Sequence, residues 1–457
     1  MFLTHLNREM SEYLPQELMI DIFLRLPIKS ILRFTSVSKS WYSLLTSPDF
    51  ISMHLNRKQD EHILVRHFSS NPENEIYTLF SDNDNLDEYA QFDLPFNCSN
   101  YFFDIVGTCN GILCLNNDMC LWSAFYLWNP SIRKSVKLPN PTFRADGSFD
   151  HTLGFGFDSV TNDYKVVRIS QTSGMPPVVE LYKLSTGVWK DISDVALSHL
   201  FFCNEPQVYM NGASHWVAFM WEKGPSPSMI VSFNMHHETF FLIMLPNSLV
   251  YGIRQQCGVF LFVSDESLCL VNHKYDRTTD IWMMKEYADE ESWVKQYNIS
   301  SRHIPYEPEV NHYLIKPMAT RKNGEMLWKE CNGLLVSVNH ADEEIKDPGV
   351  HDFIDNNHLF HDSLYVNSYK ESLVLLDKWK DYCAEDAYGE SFNSRKRKPK
   401  GGRKKLLKTN AKNRLRIASL LHISGLLYVL KMKGKWLQRK ERKKMQVKRH
   451  SLAIYRH

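Results

Sequence analysis

Between residues 14 and 55 apolar side chains recur at helical spacing. Leu18, Ile22 and Leu26 fall at i, i+4 and i+8, with Met19 and Phe23 beside them. Pro15, just ahead, suits a first helical position, where no N–H is needed. Pro27 breaks that helix. Ser30 is placed to cap a second helix carrying Ile31, Phe34 and Val37; a third run from Lys39, with Trp41, Leu44 and Leu45, ends before Pro48. The pattern predicts three short helices. From about Tyr101 to Leu376 the texture is different. Short apolar and aromatic runs alternate with turn residues, as in GILCL (111–115), FYLWN (125–129), YKVVRI (164–169), VVELYKL (178–184), HWVAF (215–219), MIVSFN (229–234), VFLFVS (259–264) and LLVSV (334–338). No long helical pattern separates them, which argues against a parallel α/β sheet.

One hairpin type repeats: a strand, a turn of charged or small residues, then a strand that often ends in proline. Copies fall at 126–139, 179–192 and 230–246, with a fourth around 268–284 and fainter ones at 330–345 and 363–376. Between them stand Asn110-Gly111, Asn211-Gly212, Asn323-Gly324 and Asn332-Gly333. Asn-Gly favours the positive-φ turn that closes a tight hairpin. Four-stranded units at a period of roughly 40–50 residues point to propeller blades, with a plain β-sandwich as the rival.

The helical stretch carries more apolar groups, from Leu14 through Phe50, than three short helices hide from water. Such a surplus marks either an interaction surface or a cap packed on the chain's own β body. Here the residues resemble a family. Leu14-Pro15, Arg25-Leu26-Pro27, Arg33-Phe34, Val37, Lys39, Trp41, Pro48 with Phe50, and His54-Leu55 are similar to the F-box, in its plant form. The resemblance implies docking into a groove of a Skp-type adaptor and, through it, a cullin ubiquitin ligase. The adaptor-binding residues it implies are Leu14, Pro15, Ile22, Phe23, Leu26, Pro27, Leu32, Val37 and Trp41.

The β stretch resembles the F-box-associated domain of the same plant family, which is kelch-like. The matching motifs are Val106-Gly-Thr-Cys-Asn-Gly111, Trp128-Asn-Pro130, Gly154-Phe-Gly-Phe-Asp158 with Asp163-Tyr-Lys-Val-Val167, and Tyr209-Met-Asn-Gly212 before His215-Trp216. Asn323-Gly-Glu325, Tyr365-Val-Asn-Ser368 and Ser372-Leu-Val374 resemble the last repeats. The family captures proteins for ubiquitination; its members include regulators of immune receptors and pollen S-locus proteins. The expected fold is therefore a multidomain α+β chain: a small three-helix F-box, an all-β kelch-like β-propeller body and a basic C-terminal tail. The expected partition is a lead at 1–13, the F-box at 14–55, a linker with first strands at 56–100, the β domain at 101–376 and an extension at 377–457, largely disordered.

Charge sharpens that partition. The net charge of +2 conceals 23 Lys and Arg against one acid, Glu441, from Arg395 onward, which leaves the rest of the chain at −20. Arg395, Lys396, Arg397 and Lys398 form a nuclear-localisation candidate, so nucleus and cytoplasm are the expected compartments. A solvated charged tail or a misplaced gene boundary gives the same composition. The apolar run from Ile417 to Leu430 is shorter than the roughly twenty residues that span a bilayer. The nine scattered cysteines include no CxxC, and suit reduced thiols of an intracellular protein rather than a metal site. No basic-then-apolar leader opens the chain.

No GxSxG, HExxH or Walker loop is present. Gly154-Phe-Gly156 lacks the third glycine of a dinucleotide fingerprint; His236-His237 falls at a hairpin turn, and Asp342-Glu-Glu344 is a loop charge run. The expectation is a non-catalytic substrate receptor of an SCF-type ubiquitin ligase. Its partners would be the adaptor, a cullin and a protein substrate. No cofactor, metal, small-molecule substrate, membrane or nucleic acid is expected. The competing readings are a β-propeller ligand binder with structural N-terminal helices and a nucleic-acid binder acting through the tail.

Overall fold

The computed structural model describes residues 15–57, 61–68, 75–95, 103–117, 124–143, 150–171, 177–193, 197, 200–203, 207–220, 228–246, 248–249, 258–264, 266–274, 278–300, 316–330, 333–339, 345–350 and 364–375. Leu14, the basic cluster at 395–398 and the apolar run at 417–430 lie outside them.

The N-terminal stretch forms four helices, one more than expected: α1 (Gln16–Leu24), α2 (Ile28–Phe34), α3 (Lys39–Leu45) and α4 (Pro48–Asn56). Pro48 ends one helix and opens the next. It sits at the start of α4, where its missing N–H costs nothing, and the Phe50 N–H donates to Ser47 Oγ at 3.2 Å. Ser38 caps α3 in the same way, accepting from Trp41 N at 3.1 Å. Ser30 is no cap: α2 begins two residues earlier, at Ile28, because Pro27 is fixed at φ −60° and ψ 147°, the extended conformation of a residue before a helix.

The body is a six-bladed β-propeller of antiparallel sheets. Blade 1 runs, in spatial order, Tyr365–Tyr369, His62–Phe68, Glu75–Ser81 and Glu88–Phe92. Blade 2 is Asp104–Cys109, Ile112–Asn117, Ala124–Asn129 and Lys134–Lys137; blade 3 is Asp150–Asp158, Asp163–Gln171, Val178–Lys183 and Val188–Asp191. In blade 4 the first strand is split into Leu200–Phe202 and Val208–Met210, both paired with Ala213–Met220, and Ser228–Asn234 and Thr239–Met244 follow. Blade 5 is Gly258–Ser264, Ser267–His273, Thr278–Met284 and Trp293–Ser300, and blade 6 is Lys316–Thr320, Met326–Lys329, Leu335–Val338 and Ile345–Lys346. The ring closes where the last strand pairs antiparallel with the first, Val366 opposite Val65.

The first strands, within 56–100, thus belong to blade 1. The hairpins at 126–139, 179–192, 230–246 and 330–345 are the third and fourth strands of their blades. The copy at 268–284 is out of phase, being the second and third strands of blade 5, and the described part of 363–376 is the single closing strand. Buried strands share one apolar texture wherever they stand in a blade, so texture alone does not set the phase.

Antiparallel alternation fixes two faces. Connections from first to second strand and from third to fourth emerge on one face; the remaining connections emerge on the other. The first face is made of short turns. Asn110 and Gly111 have φ of +52° and +75°, and Asn211 and Gly212 have +49° and +71°, the tight-hairpin geometry that Asn-Gly foretells. The segments that join one blade to the next are longer in sequence, as at 93–103, 138–149, 245–257, 301–315 and 347–364.

Candidate interaction surfaces

The first helix shows how the surplus of apolar residues is used. Met19, Ile20, Phe23 and Leu24 turn inward and pack on the core, whereas Leu18 and Ile22 are 52% and 48% exposed. Phe23 meets Phe34 and Trp41 at ring-centroid distances of 5.7 and 5.1 Å, and Phe34 meets Trp41 at 5.5 Å. These aromatic contacts, one tilted and two edge-on, tie α1, α2 and α3 together. Ile28, Ile31, Leu45 and Phe50 complete the inner side, all buried.

That inner side has no separate core. It belongs to one buried cluster with Ile112, Phe125, Leu127 and Ile132 of blade 2 and with Leu373, Val374 and Leu375 after the closing strand. The helix α2 lies against the 3-10 turn Pro130–Ile132, the third-to-fourth connection of blade 2. The helices therefore sit on the short-turn face. The two readings of the apolar surplus, a cap on the β body and an exposed surface, describe its two sides.

Among the implied adaptor contacts, Pro15, Ile22, Pro27 and Val37 are exposed, Val37 by 40%. Leu26, Leu32 and Trp41 are half-buried against the core. Phe23, at 4% exposure, holds the helices together and offers almost no surface. Leu18, part of the apolar stripe but not among the implied contacts, lies one turn from Ile22 and is more exposed; helical spacing alone does not tell inside from outside. Asp21 and Arg25 form an exposed i,i+4 ion pair at 2.9 Å on this helix.

The buried charges join blades. Lys165 Nζ donates to Asp158 Oδ2 at 2.9 Å, to Glu238 Oε1 at 2.8 Å and to Met235 O at 2.6 Å, linking blades 3 and 4. Burial pushes the Asp158 carboxyl up, but donors on Thr161, Lys165 and backbone amides outweigh it and hold it well below the carboxylate range. Arg321 links blade 6 to blade 1 through Asp82 Oδ1 at 3.2 Å and the Asn83 carbonyl, and also meets Glu325. Arg168 pairs with Glu180 at 2.8 Å, and Glu180 Oε1 accepts from Thr142 Oγ1 and Phe143 N. Each carboxylate is engaged by cations and amides in ways that fix the ring.

The glycines of the GFGFD motif mark close approach. A Cβ on Gly154 would lie 2.5 Å from Trp216 Cζ2, and one on Gly156 would lie 2.3 Å from Tyr209 Cε2. Gln207 pairs both ways with the Phe155 backbone, at 2.6 and 2.9 Å, and Tyr209 does so with Phe157, at 2.6 and 3.1 Å. Two side chains thus stand in for a strand partner between the innermost strands of blades 3 and 4. A Cβ on Gly107 would lie 2.4 Å from Gln207 Nε2, so the inner strand of blade 4 also presses on blade 2.

His236 Nδ1 stands 3.2 Å from Asp158 Oδ1 on the short-turn face and is substantially exposed. Among the described residues no group of three or more His, Cys, Asp or Glu is placed to hold a metal ion. Asp342-Glu-Glu344 lies outside them. No described helix is long and apolar enough to cross a membrane.

Known proteins share both parts. The F-box domain family matches residues 12–53, and the F-box associated beta propeller domain family matches residues 60–376. F-box protein CPR1 of Arabidopsis thaliana is 30% identical over 346 residues, covering 70% of this chain and 80% of that protein. F-box protein At3g07870, from the same plant, is 30% identical over 351 residues, covering 72% and 80%.

Proposed function

The chain belongs to the F-box proteins that carry an F-box-associated β-propeller, and from that premise we propose that it is the substrate-recognition subunit of an SCF-type ubiquitin ligase. The observation that carries the reading is the split of α1. Leu18 and Ile22 face water as adjacent large aliphatic groups, while the other side of the same helix is built into the propeller's core. Such a surface, kept apolar on a helix with an adequate core behind it, fits a Skp-type adaptor and, through it, a cullin.

The receptor role asks for no catalytic residue. Its contribution is to hold a substrate lysine near the charged conjugating enzyme, which raises the effective concentration of the reacting pair. The helices occupy the short-turn face, so the opposite face, from which the longer connections leave, is the one that would meet the protein substrate. The acidic body favours a substrate with a basic patch. The cluster at 395–398 would direct part of the pool to the nucleus, which a fluorescent fusion lacking 395–457 would test.

The docking test uses Ile22→Asp with Val37→Asp. Both residues are exposed, whereas a charge at half-buried Leu26 would disturb folding and docking together. The expected outcome is loss of adaptor and cullin from an affinity purification, with the β-sheet circular dichroism and melting temperature retained. Undiminished recovery of the adaptor would overturn the proposal.

A further inference from the structure

We propose that the segment just after the closing strand is a clasp that locks the helical unit onto the ring, with Lys370 as the positioning residue that fixes where the docking face points. The direction of that face matters because of the receptor reading above, on which the functional part of this inference rests. In sequence the helices are tethered to the ring only at the junction between Asn56 and His62. Packing on blade 2 seats the inner side of the helices. The segment after the closing strand adds a second, polar attachment at the end of α4.

Lys370 Nζ donates to the carbonyls of Leu55, at 2.6 Å, and Arg57, at 3.1 Å. These lie at the C-terminal end of α4, where helical carbonyls lack partners and the helix dipole is negative. One residue earlier, Tyr369 OH donates to Gly111 O at 3.1 Å and lies 2.9 Å from Ser131 Oγ. Asn129 Nδ2 then donates to Ser372 O at 3.0 Å and Val374 O at 2.9 Å, which pins the segment to blade 2. Gly111 accepts this proximity because it has no side chain: a Cβ there would lie 2.5 Å from Lys370 O. Leu373, Val374 and Leu375 complete the attachment by entering the same buried cluster as Ile28 and Ile31.

The clasp begins where the ring ends. Tyr365–Tyr369 closes the propeller on His62–Phe68, and the next residues seat the helices. Ring closure and helix orientation are thus consequences of one continuous segment. A docked adaptor then stands at one angle to the substrate face, and only substrate lysines within a restricted zone reach the conjugating enzyme.

The test uses the full chain, with donor and acceptor fluorophores introduced at the exposed positions Lys39 and Lys190 and the interdye distance distribution measured. The unsubstituted clasp should give one narrow distribution. Lys370→Met keeps the aliphatic stem and removes the three donors; with Asn129→Ala it should broaden the distribution while the folded β-sheet circular dichroism is retained, and Lys370→Arg should restore the narrow form. An unchanged width in the double variant would overturn the clasp. Native-state hydrogen exchange on the unsubstituted chain needs no variant. The clasp requires amides of α2 and α3 to be protected as strongly as those of blade 2, and independent opening of the helices would also refute it. Adaptor recovery, measured in parallel, should be unaffected by Lys370→Met; its absence even from the unsubstituted chain would sink the receptor reading while leaving the clasp to stand on the distance measurement.

Discussion

The two sides of α1 were drawn from one alphabet. Met19 and Phe23 are large apolar residues four apart, and so are Leu18 and Ile22. One pair is built into a core that runs unbroken into blade 2; the other is left in water. What separates them is the partner each side already has. The inner side is packed in the core shared with blade 2, so its cost of removal is structural. The outer side has no role in the fold that the packing reveals, so its cost of removal should appear only in binding. The helical unit is thus an extension of the propeller on one side and an unfinished interface on the other.

The strongest way to break that contrast is to empty the inner side. Phe50 is fully buried, and Phe50→Ala should destabilise the protein by about 3–5 kcal/mol. Because the cluster is shared, chemical unfolding should show helices and β-sheet lost in one shifted transition. Two separate transitions, with the ring unmoved, would show that the common core is not energetically common.

Acid should act on the same inner side through His54 and on blade 4 through His215. His54 is buried on α4; desolvation first, then Arg57 and Lys370, lowers its pKa to about 4, and His215 is lowered to about 4 by burial. A histidine whose folded pKa lies below its unfolded value binds more protons when unfolded, so stability falls as pH drops from about 6.5 toward 4. Each shift develops on the order of 2–3 kcal/mol. Glu75 and Glu371, raised by burial, run in the opposite sense and offset part of the loss. Glu325, lowered to about 2, weakens the fold as pH falls from the ordinary carboxylate pKa toward 2. Urea midpoints at pH 7, 5.5 and 4.5 should therefore already decline before any depressed carboxylate titrates. A flat profile down to pH 4.5 would refute the buried, neutral state of these histidines.

Gly156→Ala probes the ring away from the helices. The new Cβ meets the Tyr209 ring, whose hydroxyl is held by both backbone groups of Phe157. A ring fixed at its far end yields little, so the cost should be about 1–3 kcal/mol, read as a lowered unfolding midpoint with the same slope. Tyr209→Ala on the same background should relieve most of that penalty, and additive losses would show that the two positions do not touch.

Much of this was legible beforehand. The eight strand-like runs became strands, and the Asn-Gly pairs at 110–111, 211–212 and 323–324 became turns, because alternation and positive φ are local properties. Two things resisted. The phase of the repeat at 268–284 depends on which strand lies innermost, and that is decided by pairing between distant segments. The roles of Lys370 and Asn129 depend on residues that lie hundreds of positions apart meeting at one turn; neither carries a spacing that announces it. Likewise Phe23 and Ile22 are neighbours in the motif, and only the position of blade 2 makes one of them core.

The smallest structural effect should come from Leu18→Ser. The side chain is more than half exposed, and substitutions at such positions usually move stability by no more than about 0.5 kcal/mol. Serine also lowers helix propensity slightly, within the same range. If the outer side is an interface, removing a large apolar group from it should weaken adaptor binding by roughly tenfold or more, since fully burying a leucine side chain is worth about 1.5–3 kcal/mol. Titration of purified adaptor onto the variant, beside a thermal melt of the same sample, reads both quantities at once. A matched loss in stability and affinity would mean that Leu18 belongs to the fold after all, and that α1 has one working side where the exposed pair implies two.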